Sequence, residues 1–132
     1  MRASVLDSYA LLAFLFREKG HDKVLDLFER AAQADRVLWV AAPNWAEVRY
    51  MVERKVGVAR WNETRQKLLG LPLEVVAVDR TLAELAGEMK AVSKMSLADC
   101  FAAALAKQRK ADLYTGDPEF KAVEKSVKVV WL

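Results

Sequence analysis

Four carboxylates stand where an apolar run ends or a helix begins: Asp7 after Val5-Leu6, Glu47 after Trp39-Val40-Ala41, Asp99 in Leu97–Ala106, and Asp117 after Leu113-Tyr114-Thr115. Asp99 is the one residue from Leu97 to Ala106 that is not apolar. A carboxylate inside an apolar run is expensive unless something accompanies it. Several carboxylates in one pocket repel, which raises their pKa values unless a cation is present. The chain has one His and one Cys, so neither an imidazole nor a thiolate set is available. An all-oxygen site suits Mg²⁺ or Mn²⁺. Such ions clamp phosphate oxygens and activate a water, so metal-dependent phosphodiester hydrolysis is the chemistry these residues support.

A plainer role competes with that one. Ser96-x-x-Asp99 fits a capping box, and Asn44-x-x-Glu47 resembles one. Asp7 and Asp117 suit N-caps, the latter with Pro118 at the favoured first helical position. Taken singly, capping explains each acid as well as chemistry does. Taken jointly it explains less, because capping needs no burial and Asp7 and Asp99 lie among apolar residues.

The elements that must position these acids alternate. Ala3–Leu6 reads as a strand and Tyr9–Phe16, rich in Ala and Leu, as a helix. Gly20 stops that pattern, and Val24, Leu25, Leu27, Phe28, Ala31 and Ala32 recur at helical spacing through Ala34. Arg36–Ala41 reads as a second strand. Pro43-Asn44 breaks it, and a helix is expected from Trp45 to about Arg54 with Glu47 in its first turn, then another from Val58 to Leu69. Leu73–Val78 is a third strand, and Asp79 an N-cap for a helix from Arg80 to Val92. Ser96 begins a helix that is apolar nearly all round, hence buried, running to about Arg109. Asp112–Thr115, a short helix over Glu119–Val123 and a strand over Val127–Leu132 complete the chain. Strands separated by helices predict an α/β class, a three-layer α/β/α sandwich on a mostly parallel sheet, in one domain over residues 1–132. In such a sheet, reacting groups collect at the carboxyl ends of the strands.

Composition narrows the function classes. The chain has 132 residues, 54% hydrophobic and 30% charged, a globular rather than a disordered balance. A net charge of +3 is compatible with an anionic partner such as RNA. The single Cys100 excludes an internal disulfide and fits a reducing compartment. The apolar stretch from Tyr9 to Phe16 is too short to span a bilayer, so a cytoplasmic protein without a membrane segment is expected. No Gly-x-Gly-x-x-Gly or Walker-type loop occurs. Tyr9 stands where a dehalogenase-like phosphatase needs a second Asp, and Asp7 lacks the adjacent acid of a receiver domain.

The motifs resemble those of PIN-domain ribonucleases, specifically the VapC toxins of bacterial and archaeal toxin–antitoxin pairs. Val5-Leu6-Asp7-Ser8 followed by Ala10-Leu11-Leu12 resembles the family's opening motif, and Trp45-Ala46-Glu47-Val48 its second acidic motif. Ser96-Leu97-Ala98-Asp99 resembles the third, and Thr115-Gly116-Asp117-Pro118-Glu119-Phe120 the fourth. The resemblance covers nearly the whole chain. It implies that Asp7, Glu47, Asp99 and Asp117 form a Mg²⁺ (or Mn²⁺) site, with Asp7 and Asp99 as direct ligands and Glu47 and Asp117 binding the metal through water or helping to orient the attacking water. Ser8 and Thr115 are the family's hydroxyls beside the acids, bonding a carboxylate or substrate, or capping a helix or turn. Relatives often carry Asp where this chain has Glu119, which leaves open whether a fifth carboxylate takes part. The family cleaves RNA, frequently tRNA or rRNA, usually as a homodimer held inactive by a small cognate antitoxin. Some relatives serve in RNA maturation. A catalytically silent interaction module and a nuclease acting on DNA are the rival functions.

Arg49, Arg54, Lys55, Arg60, Arg65 and Lys67, with Lys107, Arg109 and Lys110, are candidates for a basic rim on an acidic pocket, or else solvated helix faces. Trp45, Trp61 and Tyr50 are expected in the core or a dimer interface in preference to stacking on bases. His21 is expected on the surface, and Cys100 as a small buried hydrophobe.

Overall fold

In the computed structural model, which describes residues 1–132, the run before Asp7 forms β1 (Ser4–Leu6), buried along its whole length. The other strands are β2 (Leu38–Ala41), β3 (Leu73–Val76), β4 (Asp112–Thr115) and β5 (Val129–Trp131). They form a five-stranded sheet in the order β3-β2-β1-β4-β5, with every pair parallel. The expected α/β/α sandwich is therefore present, on a sheet that is wholly rather than mostly parallel. From β1 the chain steps outward through β2 and β3, then crosses back to lay β4 on the other side of β1. β1 and β4 thus flank a topological switch point, where open sheets bind their ligands.

Side chains alternate across each strand and split the core in two. Leu6, Leu38, Val40 and Tyr114 pack on one face with α1 (Ser8–Leu15), α2 (His21–Gln33), α3 (Ala42–Val56) and α4 (Val58–Leu69). Val5, Ala41 and Leu113 pack on the other with α5 (Arg80–Ala91), α6 (Leu97–Arg109) and a 3-10 helix over Pro118–Val123. The run Ala102–Ala106 on α6 is entirely buried, its small side chains letting the helix lie close to the sheet.

Four elements depart from their expected bounds in instructive ways. α3 begins at Ala42, so Pro43 starts the helix instead of breaking the chain. Proline has no N–H to lose in a first turn and its φ is already helical. Glu47 consequently sits beyond the first turn, and Asn44 is a buried helical residue instead of a cap. β2, β3 and β5 are each shorter than their apolar runs, because pairing with a short neighbour, not hydrophobicity, sets strand length. The junction of α3 and α4 falls as expected, with α3 ending at Val56, α4 starting at Val58 and Gly57, with φ of 91°, between them.

Candidate metal centre

Asp7 follows the last residue of β1 and caps α1, with Oδ1 accepting from the Ala10 N–H at 2.8 Å. Its Oδ2 accepts from the Thr115 hydroxyl at the end of β4. The same hydroxyl oxygen accepts from the Asp117 N–H at 3.0 Å. Asp117 in turn caps the 3-10 helix, its Oδ1 accepting from the Glu119 N–H at 2.9 Å. Capping and site-building are therefore the same interactions here: the helix starts aim the acids.

Asp99 lies in the first turn of α6, and its N–H donates to Ser96 Oγ at 3.2 Å. The return bond of a capping box, from the Ser96 N–H to the Asp99 carboxylate, is absent. Glu47 enters from α3 and accepts from the Ser8 hydroxyl. Asn44, one turn before Glu47 and fully buried, donates through Nδ2 to the Ala98 carbonyl at 3.1 Å. That bond ties the helix carrying Glu47 to the first turn of the helix carrying Asp99.

Ser8, Glu47, Ser96, Asp99, Asp117 and Glu119 line a cleft of about 370 Å³ formed with Tyr9, Leu12 and Met51. Asp99, Asp117, Glu119 and Glu47 face it, and no Lys or Arg lines it. None of the chain's ion pairs involves any of these acids. Carboxylate oxygens of Asp99, Asp117 and Glu119 lie within 4.8 Å of one another. Asp7 is only 1% exposed and sits beneath the cleft with both oxygens hydrogen-bonded. A compact oxygen set is thus formed by Asp99, Asp117 and Glu119, with Asp7, the other direct ligand that the resemblance implies, buried beneath it. Glu119, left open by the sequence, is the residue that motif-matching underweights, because only the short helix after Asp117 turns it back toward Asp99.

Burial is the main reason that the Asp7 carboxyl is pushed up to about 7, and the charges of Asp99 and Asp117 add to it. Asp99 is pushed up to about 6, again chiefly by burial, with Asp117, Glu47 and Glu119 adding repulsion. The hydrogen bonds from Thr115 and Ser96 oppose these shifts without cancelling them. An acidic, cation-free cleft built of oxygen donors fits a hard divalent ion, which relieves this repulsion.

Several expected features fall elsewhere. Trp61 is core, with Trp45 edge-on to it at 5.5 Å. Cys100 is fully buried as expected. His21 is half-buried, stacked on Phe14 and bonded to the Phe14 carbonyl, where the sequence suggests a plain surface residue. Lys107 and Arg109 lie at the far end of α6 from Asp99, and Arg109 sits over Trp39 at 4.4 Å. They do not rim the cleft. Arg54 and Lys55 do adjoin it, in a shallow hollow that shares Glu47 and Met51.

The family model described as PIN domain matches residues 4–126. A search of curated proteins returned no match. Among solved structures, VapBC2 from Rickettsia felis, bound to a DNA fragment from its promoter, aligns at TM-score 0.78 and 16% identity over 97% of each chain. DNA-bound VapBC from Salmonella typhimurium aligns at TM-score 0.77 and 16% identity over 98% of each chain. VapC20 from Mycobacterium tuberculosis, a toxin that cleaves the sarcin–ricin loop, aligns at TM-score 0.71 and 17% identity over 92% of this chain and 95% of its own. At such identities the likeness speaks for the fold.

Proposed function

We propose that this chain, which belongs to the PIN domain family, is a divalent-metal-dependent endoribonuclease and the toxin of a toxin–antitoxin pair. The observation that carries the proposal is the convergence of Asp99, Asp117 and Glu119 oxygens within 4.8 Å, unaccompanied by any cationic side chain, beside the β1–β4 switch point. Asp99, Asp117 and Glu119 would hold Mg²⁺ or Mn²⁺, with Asp7 beneath them and Glu47 across the cleft. When bound, the ion supplies Lewis acidity toward a phosphate oxygen and strengthens water as a nucleophile.

The chain's own groups do the rest. Thr115 and the Ala10 N–H fix the Asp7 carboxylate in one orientation before any ligand arrives, so no reorganisation is needed on binding. Ser8 donates to one Glu47 oxygen, leaving the other to accept a proton from the attacking water. Arg54 and Lys55, next to the cleft, offset the repulsion that the acids exert on a phosphate backbone.

Toxin–antitoxin complexes among the structural neighbours support a small antitoxin as partner, and a homodimer and a cytoplasmic setting go with that assignment. No helix is long and apolar enough to cross a membrane. An apolar groove of about 670 Å³ between the end of α1, α3 and α4, edged by Arg17, Arg60 and Lys67, suits an apolar, acidic segment of such a partner.

The test is thermal denaturation with Mg²⁺ or Mn²⁺ and RNA cleavage, on wild type and on Asp7→Asn with Asp99→Asn. Metal should stabilise the wild type alone, by mass action on the folded state, and cleavage should need both acids. Metal without effect on either protein would overturn the nuclease assignment in favour of a silent interaction module. Competition between RNA and DNA separates a ribonuclease from a DNA nuclease.

A further inference from the structure

Tyr9 is the second residue of α1, and its neighbours Ser8, Ala10 and Leu11 are all buried. Tyr9 itself is 40% exposed and lines the cleft with Glu47, Asp99, Asp117 and Glu119. With Leu12 and Met51 it gives the acidic cleft an apolar side. The chain makes room for the ring. A Cβ added to Gly116 would fall 2.2 Å from Tyr9 Cε1 and 2.6 Å from Cζ. Gly116 is not one of the glycines with positive φ, so its backbone does not call for glycine. The ring does. Two elements from opposite ends of the chain thus cooperate to hold Tyr9 at the lip of the cleft.

Other aromatic residues are committed elsewhere. Trp61 is buried, Trp45 packs on it, and Tyr50 carries the Arg54 guanidinium at 4.8 Å from its ring centre. Within the cleft itself, Tyr9 is the one aromatic residue beside the carboxylates.

We infer that Tyr9 is a specificity-determining residue: its ring, seated on Gly116, is the surface on which an unpaired base stacks beside the phosphate held in the carboxylate cleft. The inference rests on the RNA-cleaving function proposed above. A base in a duplex already has both faces stacked, so a ring at this place selects unpaired nucleotides by availability and not by sequence. Base–aromatic stacking is sequence-tolerant and strong enough that losing one ring weakens binding by about 5- to 150-fold.

The test compares wild type, Tyr9→Phe, Tyr9→Leu and Gly116→Ala. Binding of an end-labelled single-stranded RNA of mixed sequence is read by fluorescence anisotropy, against its duplex and an abasic strand of equal length. Ca²⁺ replaces Mg²⁺ to neutralise the cleft. Tyr9→Leu should lose on the order of tenfold in affinity for the single strand, and leave the duplex and abasic strand within about twofold. Tyr9→Phe keeps the ring and should match wild type, which separates stacking from any role of the hydroxyl. Gly116→Ala displaces the ring and should behave as Tyr9→Leu. The inference is overturned if Tyr9→Leu binds the single strand as wild type does. It is equally overturned if the abasic strand loses as much, or if the variant changes oligomeric state on size-exclusion while keeping its RNA affinity. Those three outcomes leave the proposed function standing. A wild type that binds metal yet neither binds nor cleaves RNA overturns both.

Discussion

The Thr115 hydroxyl, at the end of β4, donates to the Asp7 carboxylate at the end of β1, across a separation of 108 residues. The same oxygen accepts from the Asp117 N–H, so one fully buried hydroxyl sets the orientation of two acids. A group that donates to one carboxylate and receives from the backbone of the other cannot rotate without breaking both bonds. The register Leu6↔Tyr114 brings these strand ends level and makes the arrangement possible.

Replacing Thr115 with Val keeps shape and removes this bridge. Asp7 Oδ2 and the Asp117 N–H both lose their protein partner, at a cost of about 1–3 kcal/mol. Thermal denaturation should show a fall of several degrees in Tm. A Mg²⁺ titration should show weakened binding, and Thr115→Ser should retain most of both properties.

Asp7→Asn should have opposite effects on stability and function. The folded-state carboxyl is held near 7, far above its ordinary value, mainly by burial. At about pH 8 without metal the chain therefore carries an unfavourable buried charge, which Asn removes. The variant should melt several degrees above wild type in EDTA, fail to gain stability from Mg²⁺, and lose RNA cleavage.

The pH dependence follows from the same shifts. Asp7 at about 7 and Asp99 at about 6 are both raised from 3.8, so the folded state binds more protons than the unfolded one between those values. Their contribution to stability is complete below about pH 4 and is lost as pH rises through about 6 to 7. Urea denaturation in EDTA, taken as wild type minus Asp7→Asn, should show this decline and then level off. Mg²⁺ affinity should run the other way, rising from about pH 5.5 to 8 as the acids lose their protons.

Glu119→Gln tests the third member of the oxygen cluster. Glu119 is exposed, so the fold should keep its Tm within about 2 °C, as surface substitutions usually do. Mg²⁺ affinity should fall on the order of tenfold, a change of about 1.4 kcal/mol. Because the Glu119 charge helps raise the Asp99 carboxyl, an NMR titration should find Asp99 ionising at lower pH in the variant.

Much of this arrangement is legible in the linear chain. The alternation of apolar runs and helical spacing identifies every strand and helix, and Asp79 caps α5 as its position suggests. What escapes is what depends on partners far away in sequence. Pro43 looks like a breaker because no local signal distinguishes a first helical turn from a turn between elements. Asn44 looks like a cap, while its structural role is a bond to Ala98 on another helix. Asp7 reads as an acid among apolar residues at the end of a strand, and only the placement of β4 against β1 shows that both its oxygens are spoken for. Gly116 gives no hint in one dimension that it makes room for a ring on α1.

The sheet order has a consequence for the chain during its synthesis. β1 leaves the ribosome before the other strands of the sheet, yet one of its two neighbours, β4, follows only after α1 to α6 have been made. A nascent chain that ends before Asp112 lacks the hydroxyl of Thr115 and the carboxylates of Asp117 and Glu119. Translation therefore withholds the assembled centre until β4 and the short helix after it have been made, and a fragment released before them carries Asp7 without the strand that gives it a purpose.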